Sequence, residues 1–299
     1  MNNVTTVDPR ELFARLVREL PTQVLERVYV VGSLAGAYHH VDRLAGRGVK
    51  TKDADLVIHP ARDVAPAEEI ARQLIERGWR PKPDGERAPG TAATPAIQLP
   101  AIRLYPPEHD DYFVEILIVP AGEDAGAKPW ISVELADGWY GVPSFEFLSL
   151  TLIDRQRSSA GIEYAHPSMM ALANLLSHPT LGHHVMSTPV DERRIHRASK
   201  DLGRVLALAR LESRDELETW VPRWQSALAR CFPTRGRSLA ANVGAGLRAL
   251  LDDGDRFDEA WHCCTVGLLA TMGVTHEQLR AIASQLLVDV IEPVEAAAR

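Results

Sequence analysis

The sequence reads TKDADLVI over residues 51–58, where Asp53 and Asp55 stand one residue apart at the start of an apolar run. Earlier in the chain a second apolar run, VYVV over residues 28–31, ends in Gly32 and Ser33. This order predicts a buried strand, a Gly-Ser turn, a helix, and then a second strand that opens with two carboxylates. Core packing alone does not account for paired acids in that place, so the pattern indicates a site for a metal ion and a phosphate.

Asp53 and Asp55 are expected to project together. Residues i and i+2 of a strand point to the same side, with Cβ atoms roughly 7 Å apart. Magnesium prefers carboxylates combined with phosphate oxygens and water. The pair is therefore predicted to bind Mg²⁺ or Mn²⁺. The alternative is that both acids lie at a solvated strand entry or cap a helix.

A third acid, Glu115, interrupts the apolar run FVEILIV over residues 113–119. A lone acid in such a strand is costly unless it is paired or binds a metal ion. If this strand lies beside that of Asp53 and Asp55, three carboxylates could hold two metal ions. Glu115 would then complete the metal site or act as the base. An ion pair with an arginine of a neighbouring strand, for instance Arg103, is the alternative.

Gly32 and Ser33, together with Lys52, are predicted to bind the phosphates of a nucleoside triphosphate. Glycine lets the backbone approach a phosphate closely, and the free N–H groups at the start of a helix favour anions. The expected chemistry is in-line attack on an α-phosphate with pyrophosphate leaving, so that catalysis is mostly positioning and charge neutralisation. Ser33 is also well suited to cap the helix, and the two roles are compatible.

The pattern along the chain predicts an α/β (α+β) N-terminal domain over residues 1–160 and an all-helical C-terminal domain over residues 161–299. In the first part, helical spacing is expected over residues 9–20 and 67–77, and strands over residues 97–105 and 112–119. In the second part every apolar stretch has helical spacing. These stretches are 169–176, 191–211, 214–230, 238–251, 257–271 and 275–291.

Composition narrows the class of protein. The chain has 299 residues, 45% of them hydrophobic, which is enough for a sizeable core. A formal net charge of -7 argues against a protein that binds nucleic acid by charge alone. Three cysteines make no disulfide framework, and Asp8 and Glu11 interrupt any secretory pattern near the start. A cytoplasmic protein with no membrane-spanning segment is therefore expected.

Two other groups of potential metal ligands are interpreted conservatively. His39 and His40 are adjacent, and adjacent residues of a helix face different ways, so surface or hydrogen-bonded histidines are expected rather than metal ligands. Cys263 and Cys264 lie in an apolar helical stretch without a second ligand pair at a suitable spacing. Buried, inert thiols are expected there.

The order of Gly32-Ser33, the run over residues 51–56 and an acid in a later strand resembles the nucleotidyltransferases of the DNA polymerase β superfamily. Within it, the Thr-Lys-Asp-x-Asp-Leu run is similar to the AbiEii/MenT-like group. The resemblance covers roughly residues 25–210. Val49 stands where that group often has an arginine, and Asn174 stands where its helical part has a lysine. The Lys/Arg-Asp pair of the next helix is matched by Lys200 and Asp201.

For the superfamily, the resemblance implies a nucleotidyltransferase-type mixed sheet flanked by helices, Mg²⁺ or Mn²⁺, and an NTP as donor. It implies that Lys200 neutralises phosphate charge and that Asp201 positions the nucleotide or the acceptor. Both residues also have a purely structural alternative. Lys200 could be a solvated helix residue, and Asp201 could form an ion pair with Arg197 or Arg204 at helical spacing.

For the subgroup, the resemblance implies transfer of a nucleoside monophosphate to tRNA or to a protein side chain. Some members are toxins of type IV toxin–antitoxin systems, which implies a cognate antitoxin protein as partner. Two alternatives stay open. An acidic cleft would suit a cationic small-molecule acceptor of the aminoglycoside type. The residues at positions 49 and 174 favour a degenerate protein that binds nucleotide without turnover.

Overall fold

The computed structural model describes residues 6–60, 63–81, 88–123, 130–181, 184–186 and 189–299. It divides into two compact units. The first unit comprises Met1–Tyr38, Thr51–Ser149 and Arg155–Ala165. The second comprises His39–Lys50, Leu150–Asp154 and His166–Arg299. The main division thus falls between residues 165 and 166 rather than after residue 160, and a single cut misses the two short segments that belong to the second unit.

The strands are numbered in chain order. They are β1 (Thr6–Val7), β2 (Val28–Val31), β3 (Val49–Lys50), β4 (Asp53–Ile58), β5 (Arg80–Pro81), β6 (Arg103–Tyr105), β7 (Phe113–Ile118), β8 (Trp130–Leu135), β9 (Gly138–Pro143), β10 (Gln156–Arg157) and β11 (Glu163–Tyr164).

The helices follow the same convention. They are α1 (Pro9–Glu19), α2 (Thr22–Leu25), α3 (Gly32–His39), α4 (Ala65–Glu76), α5 (Pro167–Leu181), α6 (Arg197–Leu211), α7 (Arg214–Cys231), α8 (Gly236–Ala241), α9 (Ala245–Asp252), α10 (Gly254–Val266), α11 (His276–Leu286) and α12 (Glu292–Ala297). Short 3₁₀ turns lie at Ala96–Gln98 and Glu146–Leu152, and a π-helical turn lies at Leu287–Ile291.

A mixed sheet of seven strands organises the first unit, in the order β10-β11-β2-β4-β7-β6-β5. β2 runs antiparallel to β4, and β4 runs parallel to β7. All four residues of β2 are buried, as expected for a central strand covered on both faces. Beside the sheet, β8 and β9 form an antiparallel hairpin. The expected fold class, α/β with a mixed sheet, is confirmed.

Two predicted elements of the sequence differ from the structure. The strand expected over residues 97–105 is confined to β6, because Pro95 and Pro100 flank a 3₁₀ turn that occupies its first part. The helix expected from residue 191 begins only at Arg197. Asp191 and Glu192 have φ values of 49° and 70°, which no right-handed helix accommodates.

Helices make up most of the second unit, which also contains β3, and β11 lies within the stretch predicted to be all-helical. α6 packs against α5 on one side and α10 on another. α6 and α10 approach each other closely at Gly203, because a Cβ added there would lie 2.7 Å from the Ala260 carbonyl oxygen. The indole of Trp224 is fully buried and donates from Nε1 to the Ser168 carbonyl at 2.9 Å. Within the described ranges, no helix has the length and apolar character to cross a membrane.

Candidate functional site

The turn between β2 and α3 lies directly against Asp55. Gly32 begins α3 without an intervening loop and has a φ of +76°, a conformation that favours glycine. A Cβ added there would lie 2.6 Å from Asp55 Oδ2. The neighbouring residue of β2, Val31, pairs with Asp55 in the ladder. Glycine is therefore required twice at this position, for its backbone conformation and for the space that the carboxylate occupies.

Three acids, which we call the strand acids (Asp53, Asp55 and Glu115), lie on one face of the sheet. Asp53 and Asp55 are half-buried, whereas Ala54 and Leu56 between and after them are buried. β7 lies beside β4 in parallel, and Glu115 is the register partner of Asp55. The expectation that the Glu115 strand neighbours the Asp-x-Asp strand is confirmed. Direct partners share a side of the sheet, so the third carboxylate joins the first two.

A buried hydroxyl orients Asp53. Thr51 is 7% exposed, and its Oγ1 donates to Asp53 Oδ1 at 2.7 Å. The same hydroxyl lies 3.4 Å from the Asp53 backbone nitrogen, which closes a small turn at the entry to β4. A carboxylate held in this way loses little side-chain freedom when it binds an ion.

Glu115 makes the ion pair that the sequence left open as an alternative. Arg103 Nε donates to Glu115 Oε1 at 3.1 Å, and the two side chains are 23% and 15% exposed. The guanidinium also lies over the Phe113 ring, 4.9 Å from its centroid. Within the described ranges, the group of His, Cys, Asp or Glu residues whose ligand atoms converge within 4.8 Å lies in the second unit and does not include the strand acids.

The remaining predicted phosphate ligands are Ser33, next to Gly32 in the chain, and Lys52, next to Asp53. Ser33 is half-buried at the second position of α3. Lys52 is exposed, and its carbonyl accepts the Phe113 N–H at 2.9 Å, which joins β4 to β7 just before Asp53. The structure therefore places Gly32 beside Asp55, and Lys52 beside Asp53 in the chain.

Lys200 and Asp201 lie on α6, in the second unit. Asp201 is 4% exposed and accepts from Arg197 Nε at 3.0 Å, with Arg204 at 4.0 Å. The ion pairs at helical spacing that the sequence left open are thus present. Asn174, in the position of the family lysine, is half-exposed on α5.

The second unit contains a group that the sequence did not identify. His39, His40 and Glu212, which we call the histidine–glutamate cluster, each offer one ligand atom, and these atoms lie within 4.8 Å of one another. His40 is 5% exposed, so it is not a surface histidine. Its Nε2 lies 3.5 Å from Glu212 Oε1 and has no partner within hydrogen-bond distance and angle. No local spacing in the sequence connects residues 39 and 40 with residue 212.

Burial governs the protonation of this cluster. Loss of solvent lowers the pKa of His39 to about 4, with smaller contributions from His40 and Arg223 in the same direction. Burial likewise lowers the pKa of His166 to about 4. For Glu212, burial acts to raise the pKa, but His40, His39 and His166 together outweigh it and leave the pKa lowered. Near neutral pH His39 and His166 are therefore neutral imidazoles, and Glu212 is a carboxylate.

Of the two cysteines expected to be buried, Cys264 is buried and Cys263 is half-buried. Burial raises the pKa of the Cys263 thiol to about 11 and raises that of the Cys264 thiol further. Cys264 is buried and its Sγ lies 2.9 Å from the Gly203 carbonyl oxygen, to which it donates. Both are protonated near neutral pH, which makes them poor nucleophiles and poor metal ligands.

Comparison with protein-family models, with curated proteins and with solved structures gave no match to this chain, so the residues and their geometry alone support a function.

Proposed function

We propose that the first unit is a metal-dependent nucleotidyltransferase of the DNA polymerase β type, which moves a nucleoside monophosphate from an NTP to an acceptor. One observation carries the proposal. The Gly32 turn lies within contact distance of Asp55 Oδ2, and Asp55 pairs in register with Glu115. A phosphate-binding turn and carboxylates on neighbouring strands are the two halves of such a site.

The donor set fits a hard divalent cation. Asp53 and Asp55 offer carboxylate oxygens on one face of β4, and one of them is already oriented by Thr51. Mg²⁺ or Mn²⁺ takes such oxygens together with those of a phosphate. Bound there, the ion would neutralise charge on the triphosphate and activate the attacking oxygen.

The chain's own groups would position the triphosphate. The Gly32 turn allows close approach of the backbone, and the N–H groups at the start of α3 point toward an anion. The Ser33 hydroxyl and the exposed Lys52 ammonium supply further donors. Together these groups hold the α-phosphate in line with the acceptor, which is where most of the rate enhancement in this reaction class arises.

The reaction balances simply. An acceptor hydroxyl attacks the α-phosphorus, a new P–O bond forms, the bond between the α- and β-phosphates breaks, and pyrophosphate leaves. Glu115 is the nearby carboxylate for the proton of the hydroxyl if its pair with Arg103 opens. We propose an RNA, such as tRNA, or a protein side chain as acceptor, which in a toxin would be controlled by a partner antitoxin protein.

Incubation with radiolabelled NTPs, Mg²⁺ and either total RNA or the protein alone tests the proposal. Wild type should transfer label to one acceptor, and D53N and D55N should each lose nearly all transfer. D110N is the matched control, because Asp110 is an exposed acid of the same unit whose partner is Arg80. Transfer by D55N at the wild-type rate would exclude this site.

A second candidate function is nucleotide binding without turnover, and the Arg103–Glu115 ion pair favours it. A glutamate held by arginine is a weaker base and a weaker metal ligand than a free one. Calorimetry would decide between the two. Mg²⁺-dependent NTP binding with no transfer to RNA, protein or a cationic small molecule such as an aminoglycoside would establish the second function.

A further inference from the structure

The histidine–glutamate cluster lies where two distant parts of the chain meet within the second unit. His39 is the last residue of α3, and His40 follows it. Glu212 is the C-cap of α6 and has extended backbone angles, φ -81° and ψ 155°, so the chain turns away from the helix axis at this residue. The side chain of Glu212 is only 3% exposed.

The spacing of the ligand atoms suits a tetrahedral metal ion. His40 Nε2 and Glu212 Oε1 lie 3.5 Å apart. Metal–ligand bonds of about 2.0–2.1 Å at tetrahedral angles separate two ligand atoms by about 3.4 Å. The His39 and His40 rings are 4.8 Å apart and nearly perpendicular, so they do not stack. All three ligand atoms converge within 4.8 Å, and a small closure would complete the site.

Two buried atoms of the cluster lack a hydrogen-bond partner. Both His40 Nε2 and Glu212 Oε1 are buried without one, although they face each other. A buried polar atom left unsatisfied costs about 1–3 kcal/mol, and more when it is charged. Each such atom in a native structure calls for a reason, and an ion between them supplies it.

A fourth side chain, His166, packs beside the cluster without acting as a ligand. Its ring lies 5.2 Å from that of His39. A backbone N–H can only donate, and the Ser168 N–H lies 3.2 Å from His166 Nδ1, so that nitrogen is the acceptor. The proton of the neutral ring is therefore on Nε2, which leaves His166 no lone pair for a metal.

The charges around the cluster permit a cation. The charge of Arg223 acts on His39 and His166, and Arg223 is paired with Asp154 at 3.6 Å. Glu212 contributes a carboxylate inside the cluster.

We propose that His39, His40 and Glu212 bind a divalent metal ion of the zinc class. Imidazole nitrogens with one carboxylate select Zn²⁺ or Co²⁺ over Mg²⁺ and Ca²⁺, which prefer oxygen ligands throughout. Three protein ligands leave one position for water or a small anion. The ion ties the segment that starts at His39 to the end of α6. This site is separate from the proposed nucleotidyltransferase site and does not depend on it.

Metal titration of the untagged full chain tests the proposal. After removal of metals with a chelator, calorimetry with Zn²⁺ should show one site per chain in wild type. Saturating Zn²⁺ should raise the melting temperature by about 5 °C, as expected for an ion present at 100 times its dissociation constant. E212Q keeps the side-chain volume of Glu212. Its affinity for Zn²⁺ should fall by at least about 100-fold, which is the upper limit of the loss found when a residue that only supports a metal ligand is changed.

E259Q is the matched control. Glu259 contacts one histidine, with Oε1 at 2.9 Å from His196 Nδ1, and the two side chains are 21% and 25% exposed. This variant should bind Zn²⁺ like wild type. Equal affinity in E212Q and E259Q would overturn the proposal, and so would the absence of a stoichiometric site in wild type.

Absorption spectroscopy with Co²⁺ tests the same proposal without depending on how well E212Q folds. Co²⁺ bound to wild type should give the visible absorption of a tetrahedral ion without a near-ultraviolet thiolate band. H40C should gain that charge-transfer band, because sulfur would then enter the coordination shell. A thiolate band already present in wild type would assign the ion to the cysteines and overturn the proposal.

Discussion

The strand acids of the first unit and the histidine–glutamate cluster of the second differ in how their polar atoms are satisfied. Among the strand acids, Asp53 accepts a hydrogen bond from Thr51 and Glu115 accepts one from Arg103. In the cluster, His40 Nε2 and Glu212 Oε1 are buried without a partner. Neighbouring side chains already hold the strand acids in place, whereas the histidine–glutamate cluster needs a bound ion to satisfy its buried atoms.

This difference leads to different expectations for metals. Oxygen ligands at a partly exposed site bind Mg²⁺ weakly, and the ion arrives together with the phosphates. Imidazoles and a buried carboxylate bind a transition metal without any substrate. Zn²⁺ should therefore stabilise the protein alone, and Mg²⁺ should do so only when a nucleotide is present. Each prediction below tests one side of this contrast.

The largest effect is expected from G32A. The added Cβ would meet Asp55 Oδ2 at 2.6 Å, so either the turn or the carboxylate must move. Displacement of a catalytic group by about 1 Å can cost about 100-fold in rate. Nucleotide transfer measured with labelled NTP should fall by at least that factor.

G78A is the control for G32A. Gly78 is in the same unit and has a φ of +88°, but a Cβ there would meet only Pro107, at 3.5 Å. Both variants carry about 1–2 kcal/mol of backbone strain. G78A should therefore lose stability and keep its rate of transfer. Equal loss of transfer in the two variants would show that the contact with Asp55 does not matter.

The next effect concerns the ion pair of Glu115. R103Q removes the donor of a carboxylate that is only 15% exposed, so the free energy of unfolding should fall by about 2 kcal/mol. R80Q breaks the exposed Arg80–Asp110 pair and should cost under about 1 kcal/mol. Urea unfolding measures both.

The same variant separates the two roles of Glu115. If Glu115 joins the metal site, Mg²⁺ with a non-hydrolysable NTP should restore more stability to R103Q than it adds to wild type. If it serves only the ion pair, the two proteins should gain equally. The second result would remove Glu115 from the proposed site and leave Asp53 and Asp55 in it.

The sequence predicted the strand acids because the information is local. Residues that are two positions apart in a strand point to the same face of the sheet. The apolar runs at residues 28–31 and 53–58 identified the strands themselves. The register of Glu115 with Asp55 needed only that β7 neighbour β4. The ion pair with Arg103 was weighed but could not be decided, since it depends on which strand lies on the other side of β7.

The histidine–glutamate cluster could not be predicted from the sequence. Glu212 is brought to His40 by the packing of α6, and nothing in the spacing of residues 39, 40 and 212 records that contact. The rule that adjacent helical residues diverge also fails at this point, because α3 ends at His39 and His40 is no longer helical. The late start of α6 has a local origin, since Asp191 and Glu192 are the two central residues of a tight turn that is closed by backbone hydrogen bonds between Val190 and Arg193.

A smaller effect is expected for a glutamate of the second unit whose bonds are complete. Glu295 accepts from Arg248 NH1 and NH2 at 2.7 Å each and from the Gly244 N–H at 3.0 Å. E295Q should lower the free energy of unfolding by about 1.5 kcal/mol at pH 7, because the amide still accepts two of these bonds.

The effect of E295Q should depend on pH in a defined direction. The hydrogen bond from Arg248 is the largest cause that lowers the pKa of Glu295 below 4.5. The unfolded chain then binds more protons than the folded one just below pH 4.5, so the stability due to this carboxylate is complete above that pH and is lost as pH falls through the folded-state pKa. Urea unfolding of both proteins between pH 7 and pH 4 should show their difference narrowing only at the acid end. A difference that is constant over this range would contradict the assignment.

The smallest effect is expected from H166N, and it sets the limit of the metal site. The asparagine carbonyl can accept the Ser168 N–H in place of His166 Nδ1, so the turn before α5 should keep its hydrogen bond. Zn²⁺ affinity should fall by no more than about 10-fold, as for partners that support ligands without binding the ion. Calorimetry beside E212Q gives the comparison. If H166N lost as much Zn²⁺ affinity as E212Q, His166 would be a ligand. Its proton would then lie on Nδ1 when the ion is bound, or its ring would turn. The histidine–glutamate cluster, whose polar atoms lack partners in contrast to those of the strand acids, would then include a fourth residue.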